Sequence, residues 1–122
     1  MAVRSAMNLP GETDAEKRNR EEMVQSKLKQ ATLVPMAVAE YAIRVMELAG
    51  KMVAKGNKNA ITDGTVAVMM AKTAVLSALY NVKINVRAIN DKTFIRKISK
   101  QVKKLETNAS NREKELLSNI DL

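Results

Sequence analysis

The sequence predicts an all-α fold, an antiparallel bundle of about four helices with the last one long, and three observations carry that prediction. Hydrophobic residues make up 46% of the 122-residue chain and aromatics only 2%, so the core must be built from Ala, Val, Ile, Leu and the eight Met, a composition that favours helices over sheets. No stretch alternates apolar and polar residues for long enough to make a half-buried strand, and no internal repeat or low-complexity tract intervenes. Helix punctuation recurs at Pro10-Gly11, Pro35, Gly56 and Asn90-Asp91. The length suits a single helical domain, residues 1–122, with one modest core.

The first helix is expected to start at Thr13-Asp14-Ala15-Glu16, which has capping-box spacing, and to reach about Ala31. Its few apolar residues, Met23, Val24 and Leu28, make it peripheral. Pro35 suits a first helical turn, so a second helix is expected from Met36 to Lys55, ended by Gly56 in the left-handed conformation. Glu40, Arg44, Glu47, Lys51 and Lys55 form one narrow charged stripe on it, Glu40 and Arg44 suiting a solvated ion pair, and its remaining, mostly apolar surface is expected to be buried on three sides.

After a short loop from Asn57 to Thr62, Asp63 is placed to cap a third, central helix running to about Val86. The last helix runs from about Lys92 towards Asn119. Its seam of Ile95, Ile98, Val102, Leu105, Ala109 and Leu116 is broken once, by Arg112, and Arg96, Lys97, Lys100, Lys103 and Lys104 face solvent. The two central helices carry more apolar surface than the other two can cover, so further helices or a partner chain should supply the rest.

Several chemistries are excluded by composition. The absence of Cys removes disulfides, thiol nucleophiles and thiolate metal sites, and the absence of His removes the commonest metal ligand and general base, so no metal site is expected. Gly occurs only at positions 11, 50, 56 and 64, which allows neither a dinucleotide fingerprint nor a P-loop. With 21 Lys and Arg against 13 Asp and Glu, the formal charge of +8 attracts anionic partners. The basic run from Arg96 to Lys104 lacks aromatics to stack bases, so it reads as a solvated face rather than a nucleic-acid site. Met1 to Leu9 has no signal-peptide pattern, from which a cytoplasmic location is expected. Lys72, Lys83 and several small polar residues interrupt Val66 to Val86, so a membrane span is not expected.

On the central helix Thr73, Ser77, Asn81 and Asn85 recur every fourth residue as a polar stripe. Their amides and hydroxyls need partners, either from neighbouring backbone or from a ligand, and both readings stay open. Asp63 shares a face with Asn81 but stands eighteen residues away, roughly 27 Å along a helix. The two can meet only across an antiparallel subunit interface.

The segment Gly56-Asn57-Lys58-Asn59-Ala60-Ile61-Thr62-Asp63, followed by Val66-Ala67 and then Asn81-Val82-Lys83-Ile84-Asn85, resembles the cyclodeaminase and cyclohydrolase family. That family includes formiminotransferase-cyclodeaminase and bacterial methenyltetrahydrofolate cyclohydrolases. The resemblance extends through Val34-Pro35, Val38-Ala39-Glu40, Leu9-Pro10, Glu12-Thr13 and Glu16-Lys17, nearly the whole chain in the family's order. It implies an all-helical homodimer acting on a tetrahydrofolate derivative, with no cofactor beyond that substrate. The reaction would close formiminotetrahydrofolate with loss of ammonia or open the methenyl bridge with water. In that reading Asp63 transfers a proton or holds a water, Asn57, Asn59, Asn81 and Asn85 bind and orient the substrate, and Arg87 with the basic last helix draws the folate glutamate tail. The resemblance corresponds to the C-terminal part of the family domain, with its earlier helices and their glycine- and serine-rich segment expected to be missing. The alternatives are a non-catalytic helical module that completes a domain with another chain and, behind it, nucleic-acid binding by the basic helix.

Overall fold

The computed structural model describes residues 2–118 and Ile120. Its elements are α1 (Val3–Met7), α2 (Asp14–Lys55), α3 (Lys58–Val86) and α4 (Lys92–Leu117), with no strand among the described residues. The two-residue link Gly56-Asn57 folds α3 back antiparallel on α2, so Asn85 lies beside Ala31 at one end and Gly64 beside Val53 at the other. A second short link returns α4 antiparallel to α3, with Lys83 facing Glu106 and Lys72 facing Glu113.

The all-α bundle is as expected, but its helices are divided differently. The two helices expected on either side of Pro35 are one, 42 residues long, and the short α1 was not expected at all. Proline removes one rung of the helical ladder, at a cost of about 3 kcal/mol. Leu28, Thr32, Met36 and Ala39 are buried on both sides of Pro35, and this shared packing outweighs the lost rung. α4, at 26 residues, is long, yet α2 is longer. The expected end of α4 at Asn119 lies outside the described residues.

Capping explains most helix starts. The Glu16 amide donates to Thr13 Oγ1 at 3.0 Å, as the capping-box spacing predicts. Asp91 Oδ1 accepts from the Phe94 amide at 3.1 Å and opens α4. α3 departs from expectation because Asn57 Oδ1 accepts from the Ala60 amide at 3.1 Å and caps the helix six residues early. The expected loop is therefore helical, and Asp63, instead of capping, is an exposed residue in the second turn. Gly56 is also not left-handed, at φ −83° and ψ 161°. A Cβ there would stand 2.6 Å from the Met52 carbonyl oxygen and 2.6 Å from Ala60 Cβ, so the tight link rather than the backbone angle requires glycine.

The core centres on Met46, Val68, Val75, Leu79 and Val82, all fully buried, with Ile98, Val102 and Ala109 of α4 packed on them. The five basic residues from Arg96 to Lys104 are exposed, as predicted. Arg112, the break in the α4 seam, pairs with Glu47 of α2 through Nε–Oε1 at 2.5 Å and Nη2–Oε2 at 2.7 Å.

One flank of the α2–α3 hairpin is uncovered. Val34, Val38, Tyr41, Val45, Leu48 and Met52 follow alternating four and three spacing along α2 and are each 49–66% exposed. Val66, Met70, Tyr80 and Ile84 continue the apolar surface on α3. α4 lies on the other flank, where Glu47 and Gly50 face Arg112 and Leu116. The apolar surface of α2 is thus not buried on three sides, because no helix among the described residues lies on its outer flank. α3 is long and apolar enough by composition to cross a membrane. Its inner face packs on α2 and α4, and Lys72 and Lys83 are tied to α4 by ion pairs.

Candidate functional site

Small side chains open a groove between α2 and α3. Ala31 on one helix and Ala74 and Ala78 on the other leave space that larger residues would fill, giving a cavity of about 680 Å³. Val34, Pro35 and Val38 of α2 make an apolar wall, while Ser77, Asn81 and Asn85 of α3 contribute polar groups at fourfold spacing. The polar stripe read in the sequence therefore lines a cleft, except for exposed Thr73, whose hydroxyl donates to the Met69 carbonyl at 3.1 Å.

The two asparagines differ within it. Asn81 is exposed and its amide makes no hydrogen bond among the described residues. Asn85 is half-buried and its Nδ2 donates to the Ala31 carbonyl at 3.3 Å. None of the groove's lining residues is ionisable, so the cleft can bind and orient a ligand through amides and a hydroxyl, while any proton transfer needs a group from elsewhere. Among the described residues no cluster of three carboxylates could hold a metal ion.

The remaining candidate residues lie outside the groove. Arg87 is exposed at the C-terminal cap of α3, the groove end of the helix. Asn57, Asn59 and Asp63 are exposed at the opposite end. Because α3 is unbroken between Asp63 and Asn81, roughly 27 Å separates them within one chain. Glu40 does not form the expected pair with Arg44 among the described residues; the Arg44 guanidinium lies 5.3 Å from the Tyr41 ring centre instead. Val34, Pro35 and Val38 entered the sequence reading only through the family resemblance and not as a groove wall, although the four-and-three spacing from Val34 onward was the available signal.

Ion pairs tie α4 and its cap to α2 and α3, away from the groove. The Arg112 hydrogen bonds hold the Glu47 carboxyl below the usual carboxylate range. Lys29, 2.8 Å from Asp91, does the same for the capping carboxyl of α4, helped by the Phe94 amide. Lys72 pairs with Glu113 at 3.0 Å, and Lys83 pairs with Glu106.

The profile of the formiminotransferase-cyclodeaminase family matches residues 1–104, which include both links, the groove and the basic run of α4. The chain is 38% identical over 104 residues to the methenyltetrahydrofolate cyclohydrolase of Methylorubrum extorquens, covering 85% of this chain and 50% of that protein. It is 31% identical over 104 residues to the formimidoyltransferase-cyclodeaminase of Sus scrofa and 30% to that of Rattus norvegicus, in each case 85% of this chain and 19% of the relative. The chain thus spans half the length of the first relative and about a fifth of the others.

Proposed function

The chain belongs to the formiminotransferase-cyclodeaminase family, and we propose from that premise that its α2–α3 groove takes the pterin of a one-carbon tetrahydrofolate. The observation that carries this reading is the pairing of an apolar wall at Pro35 and Val38 with the polar groups of Ser77 and Asn81. A flat heteroaromatic ring with a hydrogen-bonding edge fits such a cleft. Asn81, with its amide free, makes the direct contact, and exposed Arg87 at the same end attracts the glutamate tail.

The reaction is methenyltetrahydrofolate hydrolysis or formiminotetrahydrofolate cyclisation, in the cytoplasm and with no further cofactor. In the hydrolysis, water adds to the methenyl carbon, one carbon–nitrogen bond of the bridge opens, and a proton returns to solvent. Asp63, with Asn57 and Asn59 beside it, is the candidate for moving that proton. It reaches the groove only from a second copy packed antiparallel across the uncovered flank, as a homodimer would place it.

The second reading is a helical module that becomes complete with another chain, and the uncovered apolar flank favours it. One assay separates the two: loss of methenyltetrahydrofolate absorbance with the purified chain, beside Asn81→Ala and a buffer blank. Acceleration abolished in the variant supports catalysis at the groove. No acceleration over the blank sinks catalysis by this chain alone and leaves the module reading.

A further inference from the structure

Helix α2 passes through Pro35 unbroken, and proline cannot donate the hydrogen bond that the Ala31 carbonyl, four residues back, would otherwise accept. Ala31 is half-buried at the edge of the groove, and an unpaired carbonyl there is unfavourable to the extent that the facing helix shields it from water. Across the interface, Asn85 Nδ2 points at that oxygen from 3.3 Å. Proline and asparagine are fifty residues apart, yet the antiparallel hairpin sets them on facing walls of one groove.

We propose that Asn85 is a positioning residue, the donor that replaces the missing Pro35 amide, and that it fixes the α2 wall against α3 while leaving Asn81 to the ligand. The proposal rests on the groove reading only for its ligand half. The two asparagines then divide the work by burial: half-buried Asn85 serves the backbone of α2, and exposed Asn81 serves what enters the cleft. Asn85 is not interchangeable with Asp, which keeps the acceptor oxygen and loses the donor.

A double-mutant cycle decides it, because Pro35→Ala restores a backbone amide able to donate to Ala31. In the Pro35 background, Asn85→Ala and Asn85→Asp are each expected to lower Tm by about 4 °C. In the Pro35→Ala background the same changes should lower it by no more than about 1 °C. Equal drops in both backgrounds overturn the pairing. Binding of 5-formyltetrahydrofolate is the second readout. Asn85→Ala should weaken it roughly threefold in the Pro35 background and leave it unchanged in the Pro35→Ala background. Equal weakening of about tenfold in both backgrounds would make Asn85 a direct ligand contact and overturn the assignment. The melting cycle needs no folate, so a chain that bound none would refute the folate reading while the pairing was still decided.

Discussion

Gly50 and Gly64 are both buried within helices, and replacing each by Ala should affect stability differently. Helix propensity alone favours Ala over Gly by about 1 kcal/mol at either position. At Gly64, however, a Cβ would sit 2.9 Å from Val53 Cγ2, 3.2 Å from the Ala49 carbonyl oxygen and 3.2 Å from the Val53 nitrogen. Two of those atoms are α2 backbone and cannot rotate away, so the helices must part by a few tenths of an ångström. Such overpacking costs about 1–3 kcal/mol, which leaves Gly64→Ala destabilised by about 1 kcal/mol net. At Gly50 the obstacle is the tip of Leu116, with Cδ2 at 2.5 Å and Cδ1 at 2.9 Å, a half-buried side chain in the last turn of α4 that can change rotamer. Its strain, about 0.5–1.5 kcal/mol at most, roughly cancels the propensity gain, and full relaxation would leave a net stabilisation. Urea unfolding followed by far-UV circular dichroism should therefore rank Gly50→Ala above Gly64→Ala by about 1–2 kcal/mol. If both substitutions stabilise equally, propensity is the whole effect and the close approach of α2 and α3 at Gly64 is refuted.

Two further outcomes follow from the ion pairs and the uncovered flank. Glu47 and Asp91 have carboxyls held low in the folded chain, so unfolding raises their proton affinity, and the stability they contribute is present above the ordinary carboxylate range and lost as pH falls through it. Tm should be flat from about pH 7 to pH 5 and fall towards about pH 3, less steeply in Glu47→Gln; an unchanged slope in that variant contradicts the Arg112 pairing. If the uncovered flank pairs with a second copy as proposed, the wild-type chain associates in sedimentation, and the double change Val45→Glu with Leu48→Glu at two exposed residues should abolish that association while leaving monomer stability within about 0.5 kcal/mol. An associating variant would place the contact elsewhere.

Periodicity and caps made much of the bundle legible. The three-and-four seam of α4, the Thr13 cap and the exposure of the basic run were all read correctly, because each is a local property of the helix that carries it. Pro35 misled because what makes its interior position tolerable, the tertiary packing on both sides of it and the Asn85 donor fifty residues away, lies in partners that no local rule includes. At Asn57 and Asp63 the competition was between two good caps, and the earlier one prevailed by adding six residues to the helix. Ser77, Asn81 and Asn85 stood out as polar groups on an apolar helix, but the opposite wall did not, since Val34 and Val38 resemble ordinary core positions. Which atoms of the candidate site face each other depends on how the two helices are set together, a property of neither segment alone.

The length of α2 has a consequence for how the chain opens. At 1.5 Å per residue it spans about 63 Å against about 43 Å for α3, and because Asn85 near the end of α3 lies beside Ala31, its first sixteen or so residues run past the end of the hairpin. That overhang is held by α1, by Gln25 bridging the Ala88 carbonyl and the Asn90 amide, and by the Lys29–Asp91 pair. Such polar anchors release at lower free energy than the buried contacts around Met46, and at Pro35 the backbone ladder already lacks a rung. Residues 14 to about 30 should therefore open as a separate cooperative segment, their amides exchanging with deuterium before those beyond Met36.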